Sequence, residues 1–513
     1  MVGVPEKGRI ALNLKGEIES YIRENWDQVL RDIDALVRIP SVEDLGAAAS
    51  GAPYGPGPAL ALREALGMAE RMGFETHDCE GFIGYADLPG AAKTQICVLG
   101  HVDVVPAGPG WAFPPYEVTC KDGYLIGRGV SDDKGPLVIA LHAVNFWREH
   151  IQRTDEVLPY TVRMLFGANE ETGMGDVAYY SAHYPDPEFL FTPDADFPVG
   201  YGEAGICQGV LTSGPIVSGR ILALEGGVAV NAVPGEAHAR VACDVSALPS
   251  REGIVVAVVD GAVEDAAGDA PEGVSEDTAE AQRGETGASK NGVVDICAYG
   301  KAAHASAPQL GRNAVALLAD YLLENDLLSS DERRFFELVQ AATSTVDGAV
   351  FGIACADDHL GALTAVGTVA ALRQMEGNAR LSLAMDFRYP TAIIADEIER
   401  RMGEAAANFG ATFAVTVDKP PYLIDPSSSA IKALSNAYNE VTGEDAEPFT
   451  MKGGTYAREF AHAASFGPEK SWEPKPDWIG ALHAADEGIR EDLLKQALEI
   501  YIRAIGNLME VEL

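Results

Sequence analysis

QICVLGHVDVVPAG (residues 95–108), GRGVSDDKGPLVIALHAVNFW (127–147) and TVRMLFGANEETG (161–173) together decide the fold. Gln95–Leu99 is a short apolar run closed by Gly100, which reads as a buried strand. Pro136–Trp147 is almost continuously apolar, with proline in its first turn, and reads as a buried helix. Thr161–Phe166 is a second strand and Glu188–Phe191 a third. Strands alternating with helices predict a three-layer α/β/α domain with a mostly parallel, mixed sheet. Ligands of such sheets usually sit in loops at the carboxyl ends of the strands.

Outward from this centre, Ile18, Ile22, Trp26, Val29, Ile33 and Leu36 recur at three- and four-residue steps, predicting an amphipathic helix over 17–37. A second helix is expected over 59–72, and a long amphipathic one over 487–508. From about Cys207 the pattern changes to alternating, half-exposed strands such as Ile221–Val230 and Ala237–Val245. An inserted α+β domain is therefore expected over 208–393, splitting the first domain into 1–207 and 394–513. The stretch between Asp260 and Asn291 is acidic, rich in small residues and nearly free of aromatics, so a flexible surface loop is expected over 260–291.

The chain has 513 residues, with 38 Lys plus Arg against 77 Asp plus Glu, a formal charge of −39. Phosphate neutralisation needs clustered Lys and Arg, so nucleic-acid binding is excluded, and an anionic membrane surface is disfavoured. No apolar run of about 18 residues predicts a transmembrane helix, and the N-terminus lacks a secretory pattern. The seven cysteines stand singly, as expected for free thiols in the cytoplasm.

Five short segments place His, Asp and Glu beside glycines after predicted strands. His101 and Asp103 are two apart, so in an extended chain they share a face, and a metal-bound histidine commonly needs such a carboxylate on its other nitrogen; a polar strand end is the simpler alternative. Asp132 and Asp133 precede the buried helix, where they either ligate a cation or cap the helix N-terminus. Glu170 and Glu171 are adjacent acids whose mutual repulsion a cation would relieve. Asp194 and Asp196 lie in TPDADFP (192–198), and His483 in LHAADE (482–487). Together they form the oxygen and nitrogen donor set of a hydrolytic two-metal site. ACADDH (354–359) also resembles a cluster but reads as a solvated loop.

With GKAAHASAP (300–308), GGTYAR (453–458) and PYGPGPAL (53–60) added, this order of motifs resembles the dinuclear metallo-aminopeptidase/aminoacylase superfamily, which includes carnosinases and glutamate carboxypeptidases. Within it the chain is most similar to the bacterial PepV-type dipeptidases. The resemblance implies that His101 and Asp194 hold one metal, Glu171 and His483 the other, and Asp132 bridges both. Asp133 competes for the bridge and Asp196 for the place of Asp194. The resemblance also implies that Asp103 orients His101 and that Glu170 is the general base, deprotonating a water held between the metals. His304 would donate to the oxyanion, and Asn231, Arg388 and Arg458 would hold the substrate. The implied cofactors are two divalent cations, Zn²⁺ first, with Mn²⁺ or Co²⁺ able to compete. The implied activity is hydrolysis of short peptides by a cytoplasmic enzyme, with no nucleic-acid or membrane partner. The long insertion suggests that His304 is supplied in cis and that a monomer suffices. An N-acyl-amino-acid deacylase and a non-catalytic binding homologue are the competing readings.

Overall fold

The computed structural model describes residues 14–244, 248–259, 291–375 and 377–513. The expected flexible loop at 260–291 therefore lies outside the described residues, apart from the strand that begins at Asn291. The chain divides into two compact units, one comprising the residues up to Glu203 with Tyr422–Leu513, the other Ala204–Pro421.

The first unit is built on a nine-stranded mixed sheet. Its central strand, Ala92–His101, pairs in parallel with Tyr160–Gly167 on one side and Phe189–Thr192 on the other. Ala463–Ser465 adds a further parallel strand beyond Phe189–Thr192. Antiparallel strands Ile83–Leu88 and Glu75–Cys79 extend one edge. The period-2 alternation of strand side chains separates two cores. Ile96, Val98, Val162, Met164 and Phe166 face the larger one, with helices Lys15–Val37, Pro56–Met72, Lys134–Thr154, Ser429–Thr442 and Glu491–Met509. Cys97, Leu99 and Leu165 face the smaller one, with Val177 and Tyr180 of helix Gly175–His183. Both faces are covered, which is the expected three-layer α/β/α arrangement.

The helix Lys134–Thr154 is buried along its first fourteen residues, which is why its sequence shows no polar stripe. Trp147 donates from Nε1 to Ile502 O at 2.9 Å, joining it to helix Glu491–Met509. Gly506 permits that approach, since a Cβ there would lie 2.7 Å from the Trp147 ring. The last helix begins at Glu491, later than expected; Glu487 belongs to the preceding loop.

The second unit carries an eight-stranded antiparallel sheet with helices Ala314–Glu324, Ser330–Ser344 and Ala395–Asn408 packed on one core. Ser329 and Glu332 close a reciprocal capping box at the start of Ser330–Ser344. The unit begins slightly before the expected segment 208–393 and ends well beyond it. Strand Ala411–Lys419 is the reason: it pairs antiparallel with Gly205–Ser213, and Ala395–Asn408 packs against it. No helix among the described residues is long and apolar enough to cross a membrane.

Trp147→Ala should lower the unfolding free energy by about 3–5 kcal/mol, because it removes a fully buried indole and leaves a cavity between two helices. Urea denaturation followed by circular dichroism measures this; a loss below about 1 kcal/mol would show that the two helices close over the gap.

Candidate metal centre

The three central parallel strands end at His101, Gly167 and Thr192, and the chain turns there into His101–Asp103, Asn169–Glu171 and Asp194. The site is thus assembled at one end of the sheet by strand register, with His101 paired to Gly167. Asp132 arrives from the loop before helix Lys134–Thr154, and His483 from the loop before Glu491–Met509.

His101 is fully buried, and its Nε2 lies 3.1 Å from Asp132 Oδ1 and 3.8 Å from Asp194 Oδ2. The other Asp132 oxygen, Oδ2, lies 2.9 Å from His483 Nε2, and Glu171 Oε2 is 3.1 Å from the same nitrogen. Asp132 therefore stands between two imidazoles, one oxygen to each. On the far side of His101, Nδ1 is 3.1 Å from Asp103 O and 3.3 Å from Asp103 Oδ1. The Asp103 carboxylate also accepts the amides of Glu170 at 3.2 Å and Glu171 at 3.1 Å, so it fixes the imidazole and the paired glutamates at once.

The neighbouring acids of these motifs have other hydrogen-bond partners. Asp133 is the residue before the helix, yet its side chain makes no capping bond; Oδ2 instead accepts the His101 amide at 3.0 Å. Gly100 makes room for it, since a Cβ there would lie 2.5 Å from that oxygen. Asp196 is occupied elsewhere, accepting from Ser471 N at 2.8 Å and Ser471 Oγ at 2.6 Å. In ACADDH, Asp357 accepts the amides of His359, Leu360 and Thr391, so it organises a turn.

Crowded acids disturb one another's protonation. Burial, then the charge of Asp194, pushes the Glu170 carboxyl well above its ordinary range. Burial and then Asp132 push Asp194 up to about 7, and the same two causes raise Glu171. For Asp132 burial also pushes upward, but hydrogen bonds from His101 and His483 outweigh it and hold the carboxyl low. Burial would lower His483, yet Asp132 and Glu171 raise it to about 11.

Ligand atoms of His101, Glu170 and Asp194, and of His101, Asp132 and Glu171, lie within 4.8 Å of one another in two groups. His483 joins the second through its contacts with Asp132 and Glu171. The donors are imidazole nitrogen and carboxylate oxygen, with no thiolate in either group, and this set fits two divalent cations. Glu170 falls within ligand distance in the first group.

The substrate-handling candidates divide between the units. Arg458 belongs to the first; its side chain is 3% exposed, with Nε 3.7 Å from Glu203 Oε2. Asn231, His304 and Arg388 belong to the second. There Ala232–Val233 pairs with Ala303–His304, and Asn231 O accepts the Ala305 amide at 2.8 Å, which brings Asn231 and His304 side by side. His304 Nδ1 accepts the Ser306 amide at 3.2 Å, so the neutral ring carries its proton on Nε2. Arg388 is buried and forks onto Asp386, Nε to Oδ1 at 2.8 Å and Nη2 to Oδ2 at 3.2 Å.

A family model described as Peptidase family M20/M25/M40 matches residues 97–507. The chain belongs to that family. A Beta-Ala-Xaa dipeptidase of Lactobacillus delbrueckii subsp. lactis is 28% identical over 495 residues, covering 95% of this chain and 97% of the relative. The putative dipeptidase YtjP of Bacillus subtilis (strain 168) is 31% identical over 505 residues, covering 96% and 99%. Among solved structures, the di-peptidase Dug1p from Saccharomyces cerevisiae matches with a TM-score of 0.59 at 10% identity, covering 97% of this chain and 98% of that one. Human carnosine dipeptidase 1 matches at 0.53 and 14%, covering 97% and 100%. At these identities the two structures establish the fold. The resemblance read from the motifs holds: this M20 peptidase is a hydrolase acting on peptide bonds.

Several buried residues around the candidate ligands belong to neither group and draw no notice in the sequence. Asp176 is fully buried and accepts the amides of Ala168 and Asn169 together with the Tyr456 hydroxyl, anchoring the segment that leads to Glu170. Arg128 and Glu487 form a buried ion pair beneath Asp132. Arg128, Glu487 and Tyr456 lie inside motifs already quoted, so their signal was proximity to the ligands.

Glu203 supplies a pH test away from the ligands. Burial pushes its carboxyl from an ordinary 4.5 up to about 7, against the opposing pull of Arg458 and Thr455. The folded protein thus holds this proton more tightly than the unfolded chain. The associated stability, about 3 kcal/mol, is complete below pH 4.5 and lost as pH rises through 7. Glu203→Gln has no such loss, so its thermal midpoint relative to wild type should climb between pH 5 and 8; a pH-independent difference would contradict this.

Proposed function

We propose that this M20 peptidase is a two-metal dipeptidase hydrolysing short peptides, with Glu170 as general base and acid. The observation that carries it is the Asp132 carboxylate set between His101 Nε2 and His483 Nε2, with Glu170 beside it in ligand-rich surroundings. His101 and Asp194 would hold one cation, Glu171 and His483 the other, and Asp132 both. Bound there, the cations would polarise the scissile carbonyl and acidify the attacking water. Zn²⁺ suits the two imidazoles, and the abundance of carboxylates lets Mn²⁺ or Co²⁺ compete.

Glu170 takes the proton of the attacking water and passes it to the leaving amine. Asp103 holds His101 by Nδ1 and the Glu170–Glu171 backbone by two amides, so it keeps base and ligands in register. His304, carrying its proton on Nε2, is in the form that donates to an oxyanion. Asn231, Arg388 and Arg458 are assigned to the substrate; a guanidinium is the natural partner of a terminal carboxylate, and Arg388 would have to give up part of its fork onto Asp386 to serve as one. The seven unpaired cysteines suit a cytoplasmic protein.

Protein stripped with a chelator should lose dipeptide hydrolysis and recover it with Zn²⁺ or Mn²⁺, and free dipeptides should turn over faster than their N-acetylated forms. Preference for the acetylated compounds would assign the site to a deacylase, and no metal-restorable activity on either would contradict the proposal. Glu170→Gln should lower kcat by a factor on the order of 10²–10⁴ with metal content unchanged; undiminished turnover would remove Glu170 from its role.

A further inference from the structure

Arg128 and Glu487 are both fully buried, and neither offers an atom to a cation in the arrangement above. Glu487 Oε1 accepts three backbone donors of the Asp132 loop: Gly129 N at 3.0 Å, Ser131 N at 3.1 Å and Asp132 N at 3.2 Å. Glu487 Oε2 is bonded to Arg128 Nη1. From the other side of the guanidinium, Nη2 donates to His483 O at 3.1 Å and Ala484 O at 3.3 Å. The backbone of Glu487 ties in as well, its carbonyl accepting Gly127 N at 3.0 Å.

The loop bearing His483 is otherwise an improbable backbone. His483 and Asp486 both have positive φ, 63° and 57°, a region that non-glycine residues seldom adopt. Asp486 offsets part of that cost by accepting the amides of Ala112 and Phe113. Gly480 N also donates to Asp486 O at 2.7 Å, and Arg128 adds a side-chain tie to the two carbonyls at and next to the histidine. One ion pair therefore grips the Asp132 loop by its amides and the His483 loop by its carbonyls. Between the two loops lies the 2.9 Å approach of Asp132 Oδ2 to His483 Nε2.

We propose that Glu487 and Arg128 are positioning residues that set the separation of Asp132 from His483, and thereby the affinity of the cation position formed by Asp132, Glu171 and His483 in particular. This rests on the two-metal reading above. The position at His101 and Asp194 is held by other anchors, Asp103 and Asp133, which neither Arg128 nor Glu487 touches in the hydrogen bonds described. Asp132 serves both positions, so the pair should act on both cations, but far more strongly on the one that also depends on the His483 loop.

The test is titration of chelator-stripped, full-length protein with Zn²⁺ alone against a chromophoric competitor, with thermal unfolding of each metal-free variant alongside. Wild type should bind two equivalents. Glu487→Gln keeps an acceptor for the amides but weakens the grip on Arg128, and should retain one equivalent within about threefold while the other weakens by about 10–100-fold. Arg128→Lys keeps the charge opposite Glu487 and loses the fork onto the two carbonyls, so the same single equivalent should weaken even if Glu487→Gln fails to fold. Two unaltered affinities in a folded variant would overturn the proposal. Equal loss of both, paralleled by a fall in the metal-free unfolding midpoint, would overturn it in favour of a general structural role. Failure of the wild-type protein to take up Zn²⁺ would instead remove the two-metal reading, and this inference with it.

Discussion

Repulsion among acids is the constraint on which this site is built. Asp132, Glu170, Glu171 and Asp194 converge at one end of a sheet, and only two imidazoles stand among them. Such a set does not hold itself together, since each carboxylate raises the cost of ionising the next. The protein meets this by hanging the segments that carry His101, Asp132, Glu170 and Glu171 from buried carboxylates that accept backbone amides. Asp103 takes those of Glu170 and Glu171, Asp176 those of Ala168 and Asn169, Asp133 that of His101, and Glu487 those of Gly129, Ser131 and Asp132. The loops are fixed by dipoles that favour negative charge, so their geometry is prepared before any cation arrives.

This also explains why the central sheet is parallel where the site lies. Parallel strands Ala92–His101, Tyr160–Gly167 and Phe189–Thr192 deliver three consecutive loops to the same edge, within reach of one another. The two remaining elements come from far along the chain. Asp132 is delivered by the buried helix Lys134–Thr154, and His483 by a loop hundreds of residues later. Their meeting depends on long-range contacts such as Trp147 with Ile502 and Arg128 with Glu487.

What could be read from the sequence follows the same division. The strands and buried helix are legible because their apolar runs are local, and most of the candidate ligands stand out because they follow those strands directly. The end of the inserted unit was not, because strand Ala411–Lys419 finds its partner Gly205–Ser213 some two hundred residues away and nothing local marks the pairing. Helix Ser429–Thr442 is hard to read although Ser428 caps it and Gly443 ends it in the left-handed conformation; half of its buried face is alanine, a weak periodic signal. Glu487 was assigned to a helix by periodicity, whereas its carboxylate is drawn inward to the Asp132 loop. Asp133 likewise occupies a capping position without capping, its carboxylate accepting the His101 amide instead. Propensity reads what a residue favours alone, and buried charge obeys the partner that tertiary structure supplies.

The central claim is that Asp132 is shared by two cations. The most direct measurement is an anomalous difference map from crystals of the full-length protein grown with Zn²⁺. The account predicts two peaks about 3.5–4 Å apart on either side of the Asp132 carboxylate, one beside His101 and Asp194, the other beside Glu171 and His483. A single peak, or two peaks that do not share Asp132, would contradict it.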